Sequence, residues 1–175
     1  NVWDLMGHDG GSMQMISAPM RARMGWTEPL LHATGRATYT IGAATRAGGL
    51  PTAIEVVLPF TGSDAVKVHQ PISLWVEYRA PFGADQRLGR LRGVNFAEGA
   101  MVHVTGTWQD AGDARRPVVA CPPSAPCLLD MNPETADFRD AGLVVGRSWT
   151  EPFSGTTITV EARTETTLTV RVATP

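Results

Sequence analysis

Most of the chain alternates apolar and polar residues over short segments, which is the pattern of β-strands with one buried face. From Thr34 onward these segments are rich in Thr, Val and aromatic residues, and Gly, Pro and Asp separate them. We predict strands at 37–41, 53–58, 73–79, 101–108, 118–120, 143–145, 156–161 and 167–172. With seven or eight such strands and no long helical period, the pattern favours an all-β, mainly antiparallel β-sandwich.

Two of these segments allow a more detailed prediction. Segments 156–160 and 167–172 are separated by six residues and should form an antiparallel hairpin. In segment 74–79, the period of two places Trp75, Glu77 and Arg79 on one face and the apolar residues on the other. We therefore predict a half-buried strand there.

The first 30 residues differ from the rest, because five of the seven Met residues lie within the first 24 positions. Ile16, Met20 and Met24 recur every fourth residue, which predicts a short helix over 18–24 whose Met stripe packs in a core. The residues that favour its ends are Ser17, Pro19 and Gly25.

Composition narrows the class of protein. The 175 residues carry a formal net charge of -2, so the chain lacks the basic excess typical of nucleic-acid-binding proteins. A hydrophobic fraction of 43% is enough to bury a core. Apolar runs stop short of the ~18 residues that cross a bilayer. We therefore expect one soluble domain, or one domain with an attached piece of another, that binds neither nucleic acid nor membrane.

Two observations bear on processing. The chain opens at Asn1 with neither an initiating Met nor a signal segment, so we expect it to be part of a longer protein. Cys121 and Cys127 enclose five residues, a spacing that suits a small disulfide loop, although two free thiols remain the alternative. A disulfide would imply an oxidising compartment and hence a secreted protein.

Candidate catalytic groups are sparse. His8, His32, His69 and His103 are isolated, without the paired spacing of zinc hydrolases, and each is read first as an ordinary surface or packed residue. His8 is the best metal candidate, because Asp9 and a Gly-rich stretch adjoin it. No nucleophile elbow or phosphate loop occurs in the sequence.

Carboxylates offer two further possibilities. Glu55, Glu77 and Glu98 could supply a glycosidase pair, but an ion pair between Glu77 and Arg79 is the simpler interpretation. The loop 110–113 carries two Asp residues that could contribute to a calcium site, and a solvated turn is the alternative.

The chain carries Trp3-Asp4-Leu5-Met6-Gly7 near its start, Met24-Gly25-Trp26 after the predicted helix, and several further motifs downstream. Taken in order, these motifs resemble those of the gametolysin-like and immune-inhibitor-A-like secreted zinc metalloproteases. The opening segment resembles the W/F-D-x-M-G stretch that follows the active-site helix in those proteases, and the chain then continues to an M-G-W at 24–26 that resembles their L-G-W. The downstream resemblances are at 37–41 (G-x-Y-x-L), 76–79 with 83–85 (x-E-Y-R then G-x-D), 93–94 with 102–104, 128–133 (L-L-D-x-x-P) and 141–146 (A-x-L-x-V-G). The valine-rich strand at 93–104 departs from the family by a longer insert.

This resemblance implies that Met6, flanked by Asp4 and Gly7, is the Met-turn whose thioether packs beneath the zinc site without binding the metal. The zinc ligands and general base of the family belong to H-E-x-x-H-x-x-G-x-x-H, which is absent from this sequence. We therefore expect residues 1–30 to be the end of a catalytic domain and residues 31–175 to be the β-sandwich.

The function that the resemblance implies is the C-terminal part of a secreted zinc metalloendopeptidase, inactive alone. Its partners would be the N-terminal catalytic portion of the same protein and a protein or peptide substrate. Zinc would be bound outside this chain, and calcium remains an open possibility.

A different class of function is a secreted, non-catalytic β-sandwich module that binds protein or carbohydrate. Exposed aromatic residues would mark it, and the candidates are Trp75, Trp108 and Trp149.

Overall fold

The computed structural model describes residues 16–26, 30–59, 66–110, 118–135 and 138–175. Within these ranges the chain forms one short α-helix and eleven strands. The helix is α1 (Ala18–Arg23). The strands are β1 (Leu31–His32), β2 (Arg36–Gly42), β3 (Ala53–Val57), β4 (Val66–Tyr78), β5 (Gly99–Asp110), β6 (Val119–Cys121), β7 (Cys127–Leu128), β8 (Leu143–Val144), β9 (Ser148–Thr150), β10 (Thr157–Arg163) and β11 (Thr167–Ala173).

The strands form two sheets. In the first sheet the order is β1-β3-β4-β5-β6, and β7 and β8 also pair with β5; in the second it is β2-β11-β10-β9. All of these pairings are antiparallel except that of β1 with β3. The all-β, mainly antiparallel sandwich predicted from the alternating pattern is therefore confirmed.

The main core lies between the two sheets. Alternate residues of β3, β4 and β5 face alternate residues of β10 and β11, and the period of two in these strands produces this arrangement. The fully buried members include Ile54, Leu74, Val102, Val160 and Leu168.

The predicted strands all occur, with bounds that differ by a few residues at most sites. The hairpin is also confirmed, since β10 and β11 pair antiparallel. The largest difference is β4, which begins at Val66 and passes through register shifts near Gln70. The sequence did not predict β1, β7 or β9, which have only two or three residues each, nor the 3₁₀ helices Gly83–Arg90, Phe96–Glu98 and Phe138–Asp140.

The prediction that strand 73–79 is half-buried is wrong. Both faces are buried, and Trp75, Glu77 and Arg79 on the second face are almost inaccessible to solvent. Helix α1 contacts this face, with Ala18 packed in a small cluster with Ala53 and Trp75. The charged residues of this face are buried because they pair with one another, as described below.

Helix α1 follows its predicted limits closely. Ser17 occupies the N-cap position, although its side chain makes no capping hydrogen bond. At the other end Gly25 has φ +71°, the amide of Gly25 donates to Ala22 O and the amide of Trp26 donates to Arg21 O. These two hydrogen bonds form a Schellman motif, which requires the left-handed conformation that Gly adopts readily.

The predicted packing of the Met stripe is wrong in part. Ile16 is buried and Met20 is partly buried, but the side chain of Met24 is 43% exposed. The face that contacts the sheet instead carries Ala18 and Arg21. Arg21 is buried because a carboxylate lies opposite it in the sheet.

Cys121 and Cys127 form a disulfide, with 5.4 Å between their Cα atoms. This confirms the predicted pairing and excludes the alternative of two free thiols. The bond joins β6 to β7, both of which pair with β5. Among the described residues, no helix is long and apolar enough to cross a membrane.

Candidate functional site

Five ionisable residues are buried together on the outer face of the first sheet, the face that α1 contacts. We call them the buried charge cluster: Arg21, Glu77, Arg79, Asp85 and His103. Each is at most 2% exposed. Charged side chains are seldom buried so completely unless they are paired, so the pairing within the cluster determines what it does.

Glu77 is the centre of the cluster. Its Oε2 accepts a hydrogen bond of 2.8 Å from Nη1 of Arg21, and its Oε1 lies 3.4 Å from Nη1 of Arg79. Nδ1 of His103, on the neighbouring strand β5, is 3.7 Å from the same Oε1. One carboxylate therefore connects helix α1 to two adjacent strands.

Arg79 extends the cluster to a third element. Its Nε lies 2.9 Å from Oδ2 of Asp85, which belongs to the 3₁₀ helix Gly83–Arg90. Both arginines also point at the start of α1, because Nη1 of Arg21 and Nη1 of Arg79 donate to the backbone oxygen of Ile16. The backbone oxygen of Ile16, just before α1, is thus bound by two arginines, one on the helix and one on the sheet.

Apolar and neutral contacts surround the cluster. Nε1 of Trp75 donates a 3.0 Å hydrogen bond to Oγ1 of Thr105, which leaves the indole ring to pack against Ala18 and Ala53. On the same face Met101 belongs to a second small core with Leu88 and Phe96. These contacts exclude water from the ion pairs and so strengthen them.

The environment keeps Glu77 ionised. Burial acts to raise the pKa of its carboxyl group, but the nearby charges of Arg21 and Arg79, with smaller contributions from His103 and the Arg21 hydrogen bond, lower the pKa below its ordinary value. Glu77 is therefore not a general acid held protonated near neutral pH. A carboxylate this well paired and this inaccessible is suited to joining elements, not to proton transfer.

The structure locates only some of the residues proposed from the sequence. Met6, Asp4, Gly7 and His8 lie outside the described residues, as does loop 111–117, which includes most of the proposed calcium loop. The Met-turn, the His8 metal site and the calcium site therefore stay predictions.

The other histidines and carboxylates are placed apart. His32 is exposed, and its Nδ1 lies 3.1 Å from Oε2 of Glu55. His103 is a strand residue, as predicted, and the structure shows that it is buried. The Glu77–Arg79 ion pair is confirmed. Glu98 is exposed on a 3₁₀ helix. The side chain of His69 lies outside the described residues. In the described ranges no three His, Cys, Asp or Glu residues are grouped to hold a metal ion.

The three tryptophans proposed as a binding surface are buried or partly buried. Trp75 is 6% exposed and lies beneath α1. Trp108 and Trp149 are partly buried and pack against the main core. Among the described tryptophans, Trp26 is the exposed one, directly after α1.

The sequence identified Glu77 and Arg79 but missed Arg21, Asp85 and the involvement of His103. A buried Arg in a six-residue helix has no periodic signature, because its partner is 56 residues away. A usable signal did exist in the resemblance, since the quoted x-E-Y-R and G-x-D segments contain Glu77, Arg79 and Asp85. The structure places these three motif residues in one contact network.

Comparisons with protein-family models, with curated proteins and with solved structures found no match to this chain.

Proposed function

We propose that this chain is the C-terminal part of a secreted zinc metalloendopeptidase, in which the β-sandwich holds the end of the catalytic domain in place. The observation that carries the proposal is the buried charge cluster. It fixes α1, the helix that follows the proposed Met-turn, onto the outer face of the sandwich.

The positions of the motif residues support the same proposal. The x-E-Y-R and G-x-D segments provide the sheet side of the cluster, and Arg21, in the helix before the M-G-W segment, provides the other side. In the L-L-D-x-x-P segment, Oδ1 of Asp130 accepts a 2.8 Å hydrogen bond from the amide of Asn132 and forms a tight turn. Motifs quoted for their order in the sequence thus correspond to specific contacts.

The chain contributes no catalytic group in this proposal. Its described residues contain no metal-binding group of three, and the sequence lacks H-E-x-x-H. The zinc ligands and the general base would therefore belong to the N-terminal portion, where zinc would activate water for peptide-bond hydrolysis. The role of this chain is to position the floor of that site, and alone it should be inactive.

The disulfide supports the secreted location, because such bonds persist in oxidising compartments. The alternative of a binding module with a tryptophan surface gains no support, since Trp75 is buried.

Intact-mass spectrometry under denaturing conditions, with zinc quantified on the same purified sample, tests the proposal. The expected result is a longer chain, or a second polypeptide, that contains H-E-x-x-H and accompanies about one zinc ion per complex. A single species near 18.7 kDa without zinc would count against it.

A variant then tests the Met-turn assignment in the intact enzyme. Met6→Ala should weaken zinc binding and activity while the sandwich keeps its unfolding midpoint, because the thioether would pack beneath the metal ligands. Unchanged zinc affinity and activity would contradict the assignment of Met6 as the Met-turn residue.

A further inference from the structure

A cavity of about 500 Å³ lies where the chain crosses from the first sheet to the second. Strand β8 belongs to the first sheet, and β9 is the last strand in the order of the second sheet. Both strands contribute to the lining, and so do the 3₁₀ helix Phe96–Glu98 and the L-L-D-x-x-P segment. The volume falls within the range of ~300–1,000 Å³ that is typical of sites for small ligands.

The inner wall of the cavity is apolar and includes an aromatic ring. Trp149 and Ile158 lie opposite each other in the pair of β9 with β10, so their side chains project from the same face of the sheet. Because Ile158 is fully buried in the main core, Trp149 also lies on the inner face, where it is only partly buried. Leu143 and Met131 add apolar surface to the same lining. The cavity therefore offers a ligand an indole ring with apolar neighbours.

The exposed part of the lining is polar. Glu98 and Arg147 both line the cavity and are exposed to solvent, and their formal charges are opposite. A carboxylate accepts hydrogen bonds and a guanidinium donates them, while the amide of Asn132 adds an oxygen that accepts. A ligand that uses these groups must both donate and accept hydrogen bonds, and it needs no net charge.

One wall of the cavity is held by side-chain hydrogen bonds. Nδ2 of Asn95 donates to the backbone oxygens of Asp140 at 2.8 Å and Gly142 at 3.1 Å, and Oδ1 of Asn95 accepts a 2.8 Å hydrogen bond from the amide of Gly142. Nδ2 of Asn132 donates to Oδ2 of Asp140 at 2.7 Å. This wall is therefore in place before a ligand arrives, which lowers the entropy cost of binding.

We propose that this cavity binds a neutral oligosaccharide. A sugar ring has a face of C–H groups that packs on an aromatic ring such as that of Trp149, and each of its hydroxyl groups both donates and accepts a hydrogen bond. An extended peptide fits less well, because it binds by pairing with a sheet edge and β9 has only three residues. The binding does not require the proposed protease function, and Trp149 acts here within a cavity, not on an exposed surface.

Heteronuclear NMR tests the proposal on the full-length protein, isotope-labelled at its five tryptophans. The probes are four neutral disaccharides: maltose, cellobiose, lactose and diacetylchitobiose. At least one of them should shift the indole N–H signal of Trp149 in a saturable way, with a dissociation constant of about 1 mM or lower. The signal of Trp75, which is 6% exposed and lies beneath α1, should not move. Trp149→Phe assigns the signal, because it removes that one indole.

A pair of double variants then locates the site. Glu98→Ala with Arg147→Ala should lower the affinity about tenfold or more, because it removes two charge-assisted hydrogen bonds from exposed side chains. The matched control is Glu165→Ala with Arg163→Ala, which removes the same two charges at exposed positions that do not line the cavity. This control should change the affinity less than about twofold.

Three results would overturn the proposal. The first is that none of the disaccharides shifts the Trp149 signal. The second is that the two double variants lose affinity equally, which would place the sugar outside this cavity. The third is that a trialanine peptide with blocked ends shifts the Trp149 signal while no sugar does, which would make the ligand a peptide.

Discussion

The guanidinium of Arg21 and the carboxylate of Glu77 are 56 residues apart in the sequence and 2.8 Å apart in the structure. Their side chains are 3% and 0% exposed. A hydrogen bond between charged groups in such an environment is strong, but only while both partners are present. The contact therefore determines how the stability of the fold responds to the loss of Glu77 and to pH, and the disulfide and Gly99 make two further contributions that can be measured.

Glu77→Gln should destabilise the fold by about 3–5 kcal/mol, because it leaves Arg21 and Arg79 buried without their shared counter-charge. The free energy of unfolding in urea would measure the loss. Glu161→Gln is the matched control, since the pair of Glu161 with Arg171 is exposed to solvent. That control should cost less than about 1 kcal/mol. Equal losses in the two variants would contradict the importance of burial.

The stability that Glu77 provides should depend on pH. Because its pKa in the folded protein is below the ordinary 4.5, ionised Glu77 stabilises the fold above pH 4.5, and this contribution is lost as pH falls through the folded-state pKa. The difference in unfolding free energy between the wild type and Glu77→Gln should therefore narrow from pH 7 to pH 3. A difference that stays constant over this range would show that the charge of Glu77 is not the cause.

Replacing Cys121 and Cys127 together by Ala should destabilise the fold by about 2 kcal/mol, the value expected for closing so short a loop. Denaturant unfolding of the variant would measure this, with the reduced wild type as the comparison. The two should agree closely, since each lacks the cross-link. A loss confined to the variant would point instead to the packing of Cys121 in the core.

Gly99→Ala should destabilise the fold by about 3 kcal/mol or more, the upper end of overpacking costs. An added Cβ would lie 2.0 Å from the backbone oxygen of Leu143, and so would force strand β8 away from β5. Gly48→Ala is the comparison, because that position has open space and only a positive φ of 59°. Its cost should be about 1–2 kcal/mol. Similar losses at both sites would contradict the steric explanation.

The sequence was sufficient for the parts of the fold that local patterns determine. Strands such as β10 and β11 alternate polar and apolar residues over seven positions, and a period of two at that length is distinctive. The end of α1 was equally predictable, because Gly25 meets a local conformational requirement. By contrast β1, β7 and β9 have only two or three residues and depend on partner strands distant in the sequence.

The buried charge cluster could be predicted only in part. The ion pair of Glu77 with Arg79 was accessible because two residues on one strand face are necessarily neighbours. The burial of Trp75 and Arg21 could not be predicted from the sequence, because it depends on how α1 lies on the sheet. Local periodicity predicted that Met24 would be buried with Met20, whereas the opposing carboxylate favours Arg21.

The buried charge cluster also makes the position of α1 on the sheet specific. Leaving His103 aside, the sheet side contributes one cation, Arg79, and two anions, Glu77 and Asp85; among the described residues Arg21 supplies the balancing cation. A one-residue slip of α1 would carry that guanidinium about 100° around the helix axis and leave an anion buried without its partner. An apolar helix could cover the same surface but could not neutralise it. The ion pairs therefore favour one position of α1 on the sheet over positions that are shifted by one residue.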